Sequence, residues 1–332
     1  MTREPDRPLE AGGQGVPELT VVIPTKDRPT LLPRAITSVL DQGEDVEVIV
    51  VDDGSLPANA DSIREICDRD GRVRLVRNEV AHGAPHGRNQ GLDLARGRFW
   101  ATLDDDDQWL PGKWAAQRAL LREIEAPDDV VVITGVRGAK TGEPGTVTMP
   151  AVRTPERPRS LSALFRRVRI SAFLNTYVVP TDLMRAIGGY DERLVWGEHT
   201  DVLIRLSKVA RFAGVDSVSV LVDRQHELAG SRVGRNWRLK VEGIRLLLAK
   251  HEADFTRDPG MRAQYVHVLG VTQLRAGDRW RAARTFAKLA AEGPTAGRRI
   301  RGLGHLIVTV VGGPRLWRWM TRVRGTRVDE TA

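Results

Sequence analysis

The sequence predicts an α/β protein: a doubly wound, mixed but mostly parallel sheet followed by a C-terminal helical extension. Three observations predict it. Thr20-Val21-Val22-Ile23 and Val48-Ile49-Val50-Val51 are almost unbroken apolar runs, the pattern of strands covered on both faces. The segment between them, Thr30 to Gln42, places apolar residues at 31, 32, 35, 36, 39 and 40, which is a helical period. Beyond about residue 234 the period is helical throughout.

Residues 1–17 are polar, contain Gly12-Gly13-Gln14-Gly15 and read as a loose tail without the pattern of a signal peptide. Residues 20–51 read as a strand–helix–strand unit. Ser62 to Arg69 follows as a helix, Val73 to Val76 as a strand, and Gly87 to Ala95 as a helix closed at Gly97. Phe99 to Leu103 is the third strand whose end is polar. Residues 137–160, rich in Gly, Pro, Thr and Arg, read as a loop between two halves, and Ser171 to Val222 returns to an α/β pattern. Helices are expected over Trp237–Lys250, Met261–Arg275 and Arg279–Ala291. The last two match part of a helical-repeat consensus, as one hairpin packed on the main domain. The expected division is a tail at 1–17, a main domain at 18–232, a helical extension at 233–294 and a basic amphipathic segment at 295–332.

Composition narrows the possibilities. Of 332 residues, 41% are hydrophobic and 28% charged, as in an ordinary globular chain, and the single Cys67 excludes a disulfide scaffold or a multi-cysteine zinc module. No run reaches the roughly 18 apolar residues that would span a bilayer. The net charge of +8 is unevenly spread: residues 231–332 hold 21 Lys and Arg against 8 acids, while the rest is mildly acidic. Arginine-rich usage explains part of this, since only seven of the 51 cations are Lys. A polyanionic partner explains it more fully. From Gly293 to Val328 there is no acid; Leu303, Leu306, Ile307, Val308, Val310 and Val311 precede Leu316, Trp317, Trp319 and Met320. Cations beside aliphatics and aromatics favour a segment lying on a membrane surface over a spanning helix, the plain alternative being a helical pair docked on the core. Nucleic acid is not the expected partner, because it leaves the acidic strand ends unexplained.

Those ends are Pro24-Thr25-Lys26-Asp27, Asp52-Asp53-Gly54-Ser55 and Asp104-Asp105-Asp106-Asp107. In open α/β sheets ligands bind outside the carboxyl ends of the strands. Adjacent carboxylates raise one another's cost of ionisation, and a divalent cation removes that cost. Mg²⁺ or Mn²⁺ prefers one or two carboxylates together with phosphate oxygens. A solvated acidic turn is the plainer alternative. There is neither a Gly-x-Gly-x-x-Gly after the first strand nor a Walker A lysine motif, so a diphosphate would be held by metal and side chains.

Four motifs then occur in order: Val21-Val22-Ile23-Pro24-Thr25-Lys26-Asp27-Arg28-Pro29, Val50-Val51-Asp52-Asp53-Gly54-Ser55, Gly87-Arg88-Asn89-Gln90-Gly91 and Leu103-Asp104-Asp105-Asp106-Asp107-Gln108-Trp109-Leu110. Together they resemble the family 2 glycosyltransferases, of GT-A fold, over roughly residues 18–230. The resemblance implies inverting transfer of a sugar from a nucleotide diphosphate sugar to a hydroxyl; the acidic run adds a divalent cation, and the basic C-terminal segment suits a glycan or lipid-linked acceptor on the cytoplasmic face of a membrane. The resemblance also implies that Pro24, Thr25, Lys26 and Asp53 lie around the nucleoside and that Arg88 and Asn89 lie near base or diphosphate. The Asp-x-Asp signature falls on Asp104 and Asp106, with Asp105 between them on the donor, and His226 in Arg224-Gln225-His226 reaches metal or diphosphate, or is an ordinary loop histidine.

Ile187-Gly188-Gly189-Tyr190-Asp191-Glu192 resembles a further family turn, leading to Trp196-Gly197-Glu198-His199-Thr200-Asp201. The family's general base is the Asp after that Glu; here the position is His199. Three possibilities follow: His199 is the base, since imidazole titrates near neutrality; Glu198 or Asp201 takes the proton; or turnover is slow or absent. Asp201 could equally be only a first-turn helix carboxylate. The rivals to a transferase of this kind are a nucleotidyltransferase, which would carry glycines after the first strand, and a non-catalytic nucleotide-sugar or glycan-binding protein.

Overall fold

In the computed structural model the described residues are 16–139, 146–148, 154–168, 174–223, 236–307 and 309–310. The first half is a run of parallel strands and covering helices: β1 (Leu19–Thr25), α1 (Leu32–Leu40), β2 (Val46–Asp53), α2 (Pro57–Cys67), β3 (Val73–Asn78), α3 (Ala84–Leu94) and β4 (Phe99–Thr102). The second half adds β5 (Gln108–Trp109), α4 (Lys113–Glu123), β6 (Val130–Ala139), β7 (Thr146–Thr148), α5 (Leu161–Val168), β8 (Tyr177–Pro180), α6 (Thr181–Ala186), α7 (Glu198–Ser207) and β9 (Arg211–Asp223). The extension consists of α8 (Trp237–Lys250), α9 (Glu252–Arg257), α10 (Pro259–Arg275), α11 (Arg279–Glu292) and α12 (Ala296–Ile307).

The nine strands form one sheet in the order β3-β2-β1-β4-β8-β6-β9-β5, with β7 beside β6. β3, β2, β1 and β4 are mutually parallel; β8 reverses direction between β4 and β6. β1 and β2 are apolar on both faces because helices cover both: nearly every residue of the two strands is buried. The stretch expected as a loop from 137 also contributes the end of β6 and the short β7.

The extension is stitched to the sheet domain by its own core. Leu161 and Ile204 pack with Leu247, Phe255, Met261 and Tyr265. Further out, α10 and α11 pair through Val271, Ala282 and Phe286, and a Cβ on Gly270 would lie 2.6 Å from the Phe286 ring. That contact explains the glycine in the hairpin pattern.

Candidate active site

The parallel register brings the acidic loops to one rim. Thr25 pairs with Asp52, and Asp53 with Asn78. The Leu103 amide donates to Val22 O at 3.0 Å, which sets Asp104 beside the end of β1. Asp27 holds the β1 and β2 loops together from a left-handed conformation (φ 56). Its amide donates to Ser55 Oγ at 2.8 Å, and its carboxylate accepts from the Leu56 amide at 2.7 Å and Asn59 Nδ2 at 3.0 Å. Asp53 accepts from the amides of His82 and Gly83 at 2.9 and 2.7 Å, fixing the loop into α3.

Each member of the four-aspartate run has a different surrounding. Asp105 is buried and accepts from Thr25 Oγ1 at 2.7 Å and Arg28 Nη1 at 2.8 Å. Asp106 also meets Arg28 Nη1, at 3.1 Å, while its carbonyl accepts from Arg34. Asp107 accepts from Asn175 Nδ2 and turns into the core, where Asn175 also reaches Asp104 at 3.4 Å. Asp104 accepts from Arg88 Nη2 at 2.7 Å. Burial, then the charges of Asp104 and Asp105, push the Asp106 carboxyl up to about 7. Burial acts the same way on Asp104, but Arg88 and His199 outweigh it and hold that carboxyl below its usual value. One carboxylate is thus kept ionised, while its half-buried neighbour is poorly neutralised. This is the donor chemistry a hard cation completes, so Asp104 and Asp106 fit a Mg²⁺ or Mn²⁺ that draws its other ligands from phosphate. Among the described residues no group of three or more His, Cys, Asp or Glu is placed to hold a metal without such help. His226, with Arg224, Gln225 and Ser231, lies outside the described residues.

The opposite wall is the N-terminus of α7. Arg88 spans the gap: beyond Asp104 it faces Glu198 Oε1 at 3.7 Å and lies over the Tyr190 ring at 5.3 Å. Its side chain is only 4% exposed, and its Nε and Nη1 are buried without a hydrogen-bond partner. His199 Nε2 lies 3.5 Å from Glu198 Oε1, and His199 Nδ1 is buried and unpartnered. Burial lowers the His199 pKa; Glu198 opposes that and Arg88 adds to it. The imidazole is therefore neutral near pH 7.

Asn89 ties α3 to the loop before α7. Its side chain accepts from the Tyr190 amide at 2.7 Å and donates to Tyr190 O at 3.0 Å and Glu192 at 2.8 Å. It thereby fixes the Gly188-Gly189 turn, and a Cβ on Gly189 (φ +60) would lie 2.5 Å from Asn89 Oδ1. Asp201 is fully buried behind α7. It binds Arg205 at 2.6 Å, Lys250 at 2.8 Å and His251 at 2.8 Å, and Arg205 continues to the carbonyls of Ile187 and Gly189. α8 braces the same segment through Gly243, where a Cβ would lie 2.4 Å from Trp196 O.

Of the residues anticipated from sequence, Thr25, Arg88, Asp104, Asp105, Asp106, Glu198 and His199 are joined by contacts at one rim. Pro24 is half-buried against Gly87, Lys26 is half-buried beside it, and Asp53 holds the neighbouring loop. The contacts of Arg28, Asn175, Glu192 and His251 emerge only from the structure. Arg28 and Glu192 lie inside sequence motifs; Asn175 and His251 reach their partners across 68 and 50 residues, and no local pattern marks them.

A parallel sheet with acidic strand ends facing the first turn of a later helix is the GT-A type of fold, and solved structures agree. S. aureus TarS 1-349 in complex with UDP-GlcNAc superposes with a TM-score of 0.58 at 19% identity, covering 88% of this chain and 81% of that one. Mannosyltransferase PcManGT from Pyrobaculum calidifontis, in complex with GDP-Man and Mn²⁺, gives a TM-score of 0.55 at 18% identity, covering 95% and 87%. The family model of glycosyl transferase family 2 matches residues 20–178. The GalNAc(5)-diNAcBac-PP-undecaprenol beta-1,3-glucosyltransferase of Campylobacter jejuni is 38% identical over 99 residues, which are 29% of this chain and 32% of that protein. The chain spans about a third of the length of most curated relatives it matches.

Proposed function

We propose that the chain is an inverting glycosyltransferase that moves a sugar from a nucleotide diphosphate sugar, a UDP-sugar, to a hydroxyl acceptor in cell-surface polysaccharide or glycolipid assembly. Residues 18–232 carry the transfer and 233–294 brace it. The acceptor is lipid-linked, and the basic segment 295–332 keeps the protein at the inner face of the membrane. One observation carries the reading: Asp104, Arg88, Glu198 and His199 form a continuous chain of contacts from the strand-end acids to the α7 N-terminus.

Each residue has a derivable part. Asp53 and Asp27 fix the loops around the nucleoside before it arrives, so little ordering is left to binding. Arg88, whose buried Nε and Nη1 lack a hydrogen-bond partner, offers these N–H groups to an anionic group of the donor and keeps Asp104 ionised. Asp104 and Asp106 hold the divalent cation; when bound, it supplies neutralising charge for the departing diphosphate. Glu198 faces His199 Nε2 at 3.5 Å and steadies the ring. His199, as a neutral imidazole, then accepts the proton of the acceptor hydroxyl. Asp201 is an anchor for α7 in this scheme, with all four of its ion-pair and hydrogen-bond contacts on Arg205, Lys250 and His251. The test is turnover of UDP-, GDP- and dTDP-sugars with Mn²⁺ or Mg²⁺ by wild type, Asp106→Asn and His199→Ala. Full rates in both variants would overturn the reading.

A further inference from the structure

The outward face of α12 is apolar. Ile300, Leu303 and Ile307 are 70%, 51% and 52% exposed, and their i, i+3, i+7 spacing puts them in one stripe. The opposite face is the packed one: Gly302 is buried against the backbone of Leu289 and Ala290, and His305 and Leu306 are half-buried toward α10 and α11. The usual order of an amphipathic helix is therefore inverted on its free side. Two further apolar groups extend the stripe. Val310 follows at 41% exposure, and Arg279 fixes it by donating to the carbonyls of Thr309 and Val310. The same Arg279 lies over the ring of Trp280, which is 68% exposed.

Charge says what this face meets. At 100° per residue, Arg299 and Arg301 sit on either side of the stripe, with Arg298 behind. Among the described residues none of the three makes an ion pair with an acid, and no acid occurs from Gly293 to Val328. Arginines flanking an aliphatic row with a tryptophan at one end match the layering of a bilayer boundary: aliphatic side chains below, guanidinium groups at the phosphates and indole at the headgroups. We propose that the α12 stripe, with Trp280 and Val310, is the docking face of this protein for an anionic lipid bilayer. This docking rests on the membrane part of the proposed function and needs none of the transfer chemistry.

The test is flotation of the full chain with phosphatidylcholine vesicles, with and without phosphatidylglycerol. Two variants accompany wild type: Ile300→Ser/Leu303→Ser/Ile307→Ser, and Arg298→Gln/Arg301→Gln. Every substituted side chain but Arg298 is exposed, so an unchanged melting midpoint confirms that the fold is kept. Wild type should float with the anionic vesicles. The apolar variant should lose at least about tenfold in partition on either vesicle, and the arginine variant should lose a similar factor on anionic vesicles only. Partition of the apolar variant equal to wild type would overturn the proposal and move attachment to residues 311–332. A wild-type dimer that the apolar variant dissociates, without vesicle binding, would overturn it in favour of a second copy. Turnover with a water-soluble acceptor is read in parallel: its absence in wild type would sink the transferase reading and leave the docking result standing.

Discussion

Asp201→Asn separates anchoring from catalysis more sharply than any other single substitution. The wild-type carboxylate is fully buried and faces Arg205, Lys250 and His251 at 2.6–2.8 Å. Removing one member of a buried charge cluster costs about 3–5 kcal/mol. Arg205 keeps two carbonyl acceptors and Lys250 keeps Asp191, so the lower end applies, about 3 kcal/mol. For a domain of this size that lowers the melting midpoint by roughly 6–12 °C. Thermal denaturation of wild type and variant at neutral pH reads it directly. Because Asp201 secures the helix bearing Glu198 and His199 and touches no part of the nucleoside loops, kcat should fall while the donor KM stays near wild type. The pH dependence has a definite sign. Burial opposes ionisation of Asp201, but His251, Lys250 and Arg205 hold its carboxyl down to about 2, below an unfolded value of about 3.9. Its contribution is complete above about pH 4 and lost as pH falls through about 2, so the two midpoints should converge in strong acid. A variant melting within about 1 °C of wild type at neutral pH would refute the reasoning.

Asp106→Asn should lower turnover by at least about 100-fold, read in a donor-hydrolysis assay, since it removes a cation ligand. Because Asp106 is raised to about 7, keeping it ionised costs stability as pH climbs from about 4 to 7, and a bound cation offsets that cost. Added Mn²⁺ with UDP should therefore raise the melting midpoint more at pH 8 than at pH 6; equal shifts would count against Asp106 as a ligand. His199→Ala should cost about 10²–10⁴ in kcat, the usual range for a general base, while nucleotide affinity measured by calorimetry is retained. Gly189→Ala should lower the melting midpoint, because at φ +60 its Cβ would press to 2.5 Å on Asn89 Oδ1.

Much of the first half was legible in the chain because its strands are apolar without interruption, a pattern that parallel burial imposes and little else does. Val46–Asp53 extends the anticipated strand by two residues at each end, as boundaries set by hydrogen bonding beyond the apolar run do. α2 starts earlier than the apolar period suggested, at Pro57, since proline suits a first turn. The Asp104–Asp107 run stood out in the sequence as a candidate site, but the partners of its four carboxylates did not. Asp107 turns inward to Asn175, and Asp105 is taken by Thr25 and Arg28. Those assignments depend on loops meeting across 68 to 80 residues. Asp201 shows the same limit: its place in the first turn of a helix suggested a local role, and its ties to Lys250 and His251 are visible only once α8 is in place.

The docking of α8 and α10 on α7 has a consequence for synthesis. A ribosome delivers the sheet and the acidic rim first, and domains fold as units while the chain emerges. Leu247, Lys250, His251 and Tyr265, which complete the socket of α7, arrive roughly 40 to 60 residues after its end. A nascent chain that already holds the acidic rim thus lacks the socket that steadies Glu198 and His199, and α7 is braced only once α8 and α10 have been made.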